Sequence, residues 1–170
     1  RVPWRVDFPS GVVGLAATPE RLYVASGQPA VPTPKPDEDP VTGRLTAISL
    51  PDGEPSFSVD LPAPVGDGPV VHAGDPYAVV GYSNGYDGRD QRLLRMSPEG
   101  EIRWESPYRD AWLRLYDFDA DSVYLGTGDD GLSSTGETTF AVDLSNGTER
   151  WSVAAGDAGV GRVAGETLYA

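Results

Sequence analysis

Short apolar runs alternate with polar turns along the whole chain. One recurring run is rich in Val, Tyr and Leu and follows a turn at each occurrence; it occupies residues 21–25, 77–81, 122–126 and 167–170. Runs this short, with β-branched and aromatic residues, predict β-strands rather than helices. The pattern therefore indicates an all-β chain.

A second recurring element is a glycine turn followed by an aromatic residue. The glycines are Gly53, Gly100 and Gly147, and an aromatic residue follows each of them four positions later, at Phe57, Trp104 and Trp151. Both sets step by 47 residues. An x-x-Gly turn suits a hairpin whose glycine adopts a positive φ. Each repeat then holds four strands: an apolar inner strand, the Tyr-containing strand and the two strands of this hairpin. Four strands in a repeat of about 47 residues predict a β-propeller blade.

The period divides the chain into blades. We expect residues 1–8 to be the last strand of a preceding blade, 9–61 a blade with a Pro-rich insertion at 28–42, 62–107 and 108–153 two further blades, and 154–170 the first half of another. Propellers usually close with four to eight blades. About three and a half blades therefore predict an arc of a seven- or eight-bladed ring. The remaining blades would come from the parent chain or a neighbouring molecule.

The third repeat carries the clearest motif. It reads Ala141-x-Asp143-x-x-x-Gly147-x-x-x-Trp151, which resembles the pyrroloquinoline-quinone-like repeat of quinoprotein-type propellers. The resemblance implies that each aromatic residue docks between neighbouring blades, against the small first residue and the glycine. These residues are expected to take that structural role: Trp4, Gly53, Phe57, Gly100, Trp104, Ala141, Asp143, Gly147 and Trp151.

The other two repeats depart from this motif. The first keeps its alanine at Ala47 but has Ser49 in place of the aspartate. The second keeps its glycine and tryptophan, but the count from the glycine puts Leu94 and Met96 at the first two positions.

Charge and cysteine content exclude several functions. Asp and Glu number 26 against 13 Lys and Arg, which gives a net charge of −13, and Lys35 is the only lysine. A surface this acidic disfavours nucleic acid and anionic membranes, and resembles that of haloarchaeal or other acidic-proteome proteins. No apolar run approaches the ~20 residues that span a bilayer. Cysteine is absent, which excludes disulfides and thiolate sites.

The catalytic motifs are weak. The segment 81–85 matches G-x-S-x-G, but a loop rather than a helix follows it, so a tight turn is the preferred interpretation. The only histidine, His72, lies in the predicted inner strand of the second full blade and is interpreted as structural.

Three carboxylates have the spacing of a calcium loop: Asp117, Asp119 and Asp121. The sixth and twelfth positions of such a loop are Ser122 and Gly128 instead of Gly and Glu, which excludes an EF-hand. We expect a solvated acidic turn, with a structural calcium as the alternative and no other cofactor. Quinoprotein dehydrogenases that share the repeat need a bound calcium, an Asp base and often adjacent cysteines. This chain has no cysteine, and about three and a half blades cannot surround a cofactor. We therefore expect no enzyme, and keep a degenerate quinoprotein dehydrogenase as the alternative.

One face of the propeller is expected to bind a protein or glycan partner. Loops between the second and third strands and those joining blades should emerge there together. Their aromatic and charged residues are Tyr86, Asp87, Asp90, Tyr108, Arg109, Asp110, Trp112, Asp129 and Asp130.

These observations favour a non-catalytic scaffold that mediates protein binding or assembly of an envelope complex. The resemblance extends to the lipoprotein propeller that scaffolds insertion of outer-membrane β-barrels. An extracytoplasmic or cell-surface location is expected, although the first residues are not a signal peptide. The sequon Asn146-Gly147-Thr148 would matter only after export, and the hairpin turn already accounts for its residues.

Overall fold

The computed structural model describes residues 4–27, 41–82, 90–107, 109–110, 112–128, 137–156, 162–164 and 167–169. Every regular element among these residues is a β-strand. They include no helix long and apolar enough to cross a membrane.

Three antiparallel sheets, called blades 1 to 3, follow one another along the chain. Blade 1 contains β1 Val12–Ala17, β2 Arg21–Ser26, β3 Arg44–Ser49 and β4 Pro55–Asp60. Blade 2 contains β5 Val65–His72, β6 Asp75–Gly81, β7 Asp90–Met96 and β8 Ile102–Glu105, and β9 Arg109–Asp110 pairs with the start of β7. Blade 3 contains β10 Trp112–Phe118, β11 Ser122–Gly128, β12 Glu137–Asp143 and β13 Glu149–Gly156. A final hairpin contains β14 Arg162–Ala164 and β15 Thr167–Tyr169.

The four main strands of each blade are hydrogen-bonded in chain order, as the repeat predicted. Short connections favour this meander because antiparallel neighbours can be joined by tight turns. The first strands of successive blades contact one another: β1 contacts β5, β5 contacts β10, and β10 contacts β14. The all-β fold of propeller-type blades is therefore confirmed.

A close backbone approach joins the first strands of blades 1 and 2. A Cβ atom on Gly14 would lie 1.9 Å from the carbonyl oxygen of Gly68. Only glycine leaves room for this contact between β1 and β5.

Two apolar cores lie between the blades. The first includes Tyr23 and Leu45 of blade 1 with Val80 of blade 2, and the second includes Val79 of blade 2 with Leu125 of blade 3. Because neighbouring residues of a strand point to opposite faces, β6 contributes to both cores. Each blade is thus held by the neighbour on either side of it, where one is present.

The register of blade 2 corrects the motif alignment. Tyr77 pairs with Arg95, as Tyr23 pairs with Ala47 in blade 1 and Tyr124 with Ala141 in blade 3. Arg95 and Ser97 therefore occupy the first two motif positions, and the assignment of Leu94 and Met96 was wrong.

The physical reason is a shorter turn. The N–H group of Gly100 donates to the carbonyl of Ser97, three residues earlier. The equivalent N–H groups of Gly53 and Gly147 donate to carbonyls four residues earlier. The constant spacing of the glycines concealed this single-residue deletion.

The first segment of the chain differs in form from a strand. Residues 4–8 have no strand assignment, although Trp4 packs on blade 1. Residues 28–40 of the Pro-rich insertion lie outside the described residues. The predicted blade boundaries, and the half blade at 154–170, stay predictions.

Candidate functional site at the blade junctions

Each blade junction pairs an aromatic side chain with a glycine turn. A Cβ atom built on the turn glycine of one blade would lie 2.4 Å from Trp4 at Gly53 and 2.7 Å from Phe57 at Gly100. The third turn glycine, Gly147, has φ +77°, and its Cβ would lie 2.7 Å from Trp104. A side chain at such a glycine would displace the aromatic ring and would also strain the left-handed backbone.

Two of the three junctions add a hydrogen bond from the indole. Nε1 of Trp4 donates to the carbonyl of Leu50 at 3.0 Å, and Nε1 of Trp104 donates to the carbonyl of Leu144 at 2.8 Å. Each acceptor lies three residues before the turn glycine. At the junction of Phe57 the equivalent carbonyl in the register is that of Pro98, and it accepts from the guanidinium of Arg21 instead.

Trp151 is the exception among the docking residues. Its side chain is 40% exposed, and Val153 on the same face of β13 is 49% exposed. The ring centroid of Trp151 lies 5.8 Å from that of Tyr124 in its own blade. The described residues include no glycine turn of a following blade, so the docking of Trp151 between blades stays a prediction.

An ion cluster around the buried Asp75 marks the junction of blades 2 and 3. Oδ2 of the buried Asp75 accepts from Nε of Arg95 at 2.7 Å and lies 3.0 Å from Nη1 of Arg103. Arg95 also donates to the carbonyl of Leu144, the acceptor of the Trp104 indole. A buried carboxylate needs such partners because desolvation otherwise favours its neutral form.

Sequence reasoning missed this cluster. Arg95 stands where blades 1 and 3 have alanine, but the misaligned motif assigned that position to Leu94. The signal that a correct alignment would have shown is an arginine where the other blades have alanine, with an aspartate diagonally across from it at the start of the preceding strand.

A cavity of about 330 Å³ opens beside the cluster. Its walls include His72, Tyr77, Arg95, Asp143 and Arg150. The imidazole of His72, at the end of β5, stacks on the ring of Phe118 at a centroid distance of 4.5 Å and an interplanar angle of 4°.

The polar groups of the cavity are largely bonded to one another. Nη1 of Arg150 donates to Oγ of Ser122 at 2.8 Å, and Ser145 donates to Oδ1 of Asp143. The two hydrogen bonds from Ser145 lower the pKa of Asp143. Within the described residues no hydrogen bond joins His72 to a serine or threonine hydroxyl. The arrangement ties two blades together and offers no paired nucleophile and base there.

The acidic turn before β11 is organised by its own hydrogen bonds. Oδ1 of Asp119 accepts from the N–H groups of Asp121 at 2.8 Å and Ser122 at 2.7 Å, and Oδ2 accepts from the hydroxyl of Tyr124. Asp117 accepts from the N–H group of Phe118. The part of the chain that the structure describes contains no group of three or more acidic or histidine side chains arranged to hold a metal ion.

The same turn shifts two pKa values. Burial raises the pKa of Asp119, but hydrogen bonds from Tyr124, Asp121 and Ser122 outweigh it, so the pKa lies below the ordinary value. Burial, with the hydrogen bond and charge of Asp119, raises the pKa of Tyr124 to about 12.

Two further side chains bind the first strand of blade 3 to blade 2. Oε1 of the buried Gln91 accepts from the N–H group of Leu113 at 2.7 Å, and Oδ2 of Asp67 accepts from that of Leu115 at 2.9 Å. Both contacts cross the junction near the inner strands. No sequence signal in a single chain identifies such a contact, because its partner is a backbone group.

Most of the predicted partner-binding face lies outside the described residues. Tyr86, Asp87, Tyr108, Asp129 and Asp130 belong to that part, as do Ser83, Asn84 and Gly85 of the G-x-S-x-G segment. The backbone of Asp90 pairs with that of Asp110, and that of Gln91 pairs with that of Arg109. Three of the predicted residues, Asp90, Arg109 and Asp110, therefore lie together at the start of β7. Trp112 begins β10 and is half-buried.

No family model matches the chain, and no curated protein matches it. Among solved structures, the chain is similar to BamB from Moraxella catarrhalis, with 13% identity and a TM-score of 0.57 over 88% of this chain and 39% of that one. It is also similar to the computationally designed Ika4 protein, with 11% identity and a TM-score of 0.65 over 99% of this chain and 89% of that one. At these identities the likeness concerns the fold alone, and it agrees with the propeller-type blades described above.

Proposed function

We propose that the chain is a non-catalytic β-propeller scaffold that binds another protein. The observation that carries the proposal is the open face of blade 3, defined here as the exposed side chains of Trp151 and Val153 beside Tyr124. Equivalent aromatic side chains at Trp4, Phe57 and Trp104 are each covered by a glycine turn.

Tryptophan is one of the residues enriched among those that contribute most to the binding energy of protein interfaces. Exposed apolar side chains that lie together on an otherwise acidic chain favour association with a partner. The net charge of −13 supports a protein partner over nucleic acid. A glycan partner at the loop face is a further part of the proposal.

The assignment to a repeat family, a cellular location and a type of proteome also belongs to the proposal. The motif from Ala141 to Trp151 supports a PQQ-like repeat. BamB, with which the chain shares its fold, supports a scaffold, and we extend the proposal to assembly of an envelope complex outside the cytoplasm. The high carboxylate content supports an origin in an acidic, salt-adapted proteome.

Site-specific photo-crosslinking tests the scaffold proposal. A benzophenone side chain is placed at Val153 on the open face or, as a matched control, at Ile102, which is 40% exposed on blade 2. Both proteins are irradiated in an extract of the cells that produce the chain. We expect one protein, identified by mass spectrometry, to be linked from position 153 only, and the adduct to be lost in Trp151→Ser.

Equal labelling from both positions would contradict a partner site on this face. The alternative, a fragment of a quinoprotein dehydrogenase, is tested by titrating the chain with pyrroloquinoline quinone and Ca²⁺. The scaffold proposal expects an unchanged absorption spectrum of the quinone. A saturable spectral change, with oxidation of an alcohol, would favour the dehydrogenase.

A further inference from the structure

We infer that the cavity between blades 2 and 3 is a binding site for a small organic carboxylate. The site uses other residues than the open face of blade 3 and goes beyond the scaffold role proposed above. Its support comes from three features: a buried tyrosine hydroxyl without a partner, the carboxylate that fills the equivalent place in blade 3, and the arginines around the cavity.

The first feature is the hydroxyl group of Tyr77. The side chain is 1% exposed and lines the cavity of about 330 Å³. The hydroxyl makes no hydrogen bond within the described part of the chain, yet it is not fully enclosed. Burial raises the pKa of Tyr77, so the phenol is protonated near neutral pH and can donate. A buried donor of this kind favours a bound group that accepts from it.

The second feature is the carboxylate at the equivalent place of blade 3. Tyr124 corresponds to Tyr77, since each pairs with the first motif position of its blade. The hydroxyl of Tyr124 donates to Oδ2 of Asp119, five residues earlier. The residue five positions before Tyr77 is His72, which offers no carboxylate. An acid from outside the chain would therefore form in blade 2 the bond that blade 3 makes internally.

The turn of blade 2 explains why a carboxylate of the chain is not needed there. In blade 3, Oδ1 of Asp119 also accepts from two backbone N–H groups of the turn. In blade 2, His72 pairs directly with Asp75, and Ala73 and Gly74 between them have φ +50° and +88°. A two-residue turn with positive φ needs no side-chain acceptor. The imidazole of His72 lines the cavity instead.

The third feature is a concentration of arginine. Arg95 and Arg150 line the cavity, and Arg103 contacts the same Asp75 as Arg95, in a chain with 13 basic residues and a net charge of −13. Arg95 donates to Asp75 and to the carbonyl of Leu144. By contrast, Nη2 of Arg150 makes no hydrogen bond to any residue that the structure describes. A guanidinium donor and a phenol donor on one cavity suit a carboxylate, which accepts from both.

Two carboxylates of the chain also line the cavity. Oδ1 of Asp143 accepts from Ser145, and its Oδ2 lies 3.7 Å from Nε of Arg150. Asp121 is exposed, so water screens its charge. The remaining repulsion between Asp121 and a bound acid provides a test of opposite sign to the loss of a donor.

A corresponding cavity between blades 1 and 2 provides an internal control. It measures about 290 Å³ and is lined by Tyr23, the counterpart of Tyr77, which is also 1% exposed. Arg21 lines this cavity but donates to the carbonyl of Pro98, and Glu20 adds a negative charge. We therefore expect no carboxylate to bind there.

Titration of the ¹⁵N-labelled chain with sodium benzoate tests the inference. Benzamide, which has the same ring without the charge, is the control compound. We expect benzoate to shift the amide signals of Ala120 and Leu144 saturably and to leave that of Tyr23 in place, whereas benzamide should shift none of them. The absence of a saturable shift with benzoate, or equal shifts by the two compounds, overturns the inference.

Single variants locate the bound carboxylate. Tyr77→Phe should weaken benzoate binding about tenfold, and the Tm without benzoate should stay the same because the hydroxyl has no partner to lose. Tyr23→Phe, the matched control, should retain the affinity of the parent chain. Arg150→Gln should also weaken binding, whereas Asp121→Asn should strengthen it, since a repulsive charge is removed. Equal affinities of the parent and Tyr77→Phe would exclude the site.

Discussion

At the scale of single residues, the turn glycines combine two requirements, a positive φ and a bare Cα under an aromatic ring. Gly147 meets both, since its φ is +77° and its Cβ would clash with Trp104. Gly74 meets only the first, because its φ is +88° and no atom lies within 4 Å of its Cβ position. The two positions therefore separate backbone strain from docking.

We expect Gly147→Ala to destabilise the chain more than Gly74→Ala. Left-handed backbone in alanine costs about 1–2 kcal/mol at either position. Displacement of the packed ring at Gly147 should add about 1–3 kcal/mol. Urea unfolding of both variants measures the difference. Equal midpoints would show that the glycine is needed for its conformation only.

The pair of Tyr124 and Asp119 predicts a dependence on pH. The raised pKa of Tyr124, about 12 against an ordinary 10.0, means that the unfolded chain loses this proton first, so the stabilisation is present below about pH 10 and is lost as the pH rises toward 12. The lowered pKa of Asp119 means that its contribution is lost as the pH falls through that value.

The variant Tyr124→Phe tests this pair. It removes a hydrogen bond to a carboxylate, and we expect a loss of about 1.5–3 kcal/mol near neutral pH. The difference between parent and variant in free energy of unfolding should shrink above about pH 10 and below about pH 4. A difference that is constant over this range would contradict the linkage.

At the scale of elements, the three blades share one topology but differ in the chemistry of one diagonal pair of positions on neighbouring strands. Blade 3 has Ser122 and Ala141 where blade 2 has Asp75 and Arg95. The ion cluster in blade 2 thus occupies a place where blade 3 has no charged side chain. Buried ion pairs seldom add net stability, but removing one partner leaves an uncompensated charge.

We therefore expect Asp75→Ser to cost about 1–3 kcal/mol, since the two arginines that it leaves behind are partly exposed. The double variant Asp75→Ser with Arg95→Ala recreates the pair of blade 3 and should regain part of that loss. Thermal or urea unfolding of these two variants and of Arg95→Ala provides the comparison. If the loss in the double variant equalled the sum of the losses in the two single variants, the two residues would not be coupled.

The exposure of the docking tryptophans predicts unequal costs of truncation. Trp104 lies on Gly147 and donates to Leu144, so Trp104→Ala should cost about 3–5 kcal/mol. Trp151 is 40% exposed, so Trp151→Ala should cost only about 1–2 kcal/mol. Melting temperatures of the two variants check the order. A reversed order would indicate that the open face of blade 3 is covered in solution.

At the scale of the whole molecule, the net charge of −13 is the dominant long-range property. Carboxylates that repel one another destabilise the compact state, and salt screens the repulsion. We expect the Tm to rise between about 0.1 and 2 M KCl. A melting curve that does not move over this range would count against adaptation to salt.

The sequence alone determined the strand content, the repeat and the docking of Trp4, Phe57 and Trp104 on turn glycines. These features are local or strictly periodic, since alternation and turn residues reflect the backbone geometry of a short segment. The docking of Trp4, Phe57 and Trp104 on successive turns follows the period of the chain.

Only the tertiary structure decided the register of blade 2, the burial of Asp75 and the exposure of Trp151. A one-residue deletion in the turn before Gly100 leaves the glycine spacing intact, so pairing across the sheet is needed to place Arg95. Burial of a charge depends on the partners that neighbouring strands bring to it. The exposure of Trp151 depends on what packs against its blade, because an interface residue has no burial of its own without the opposite surface.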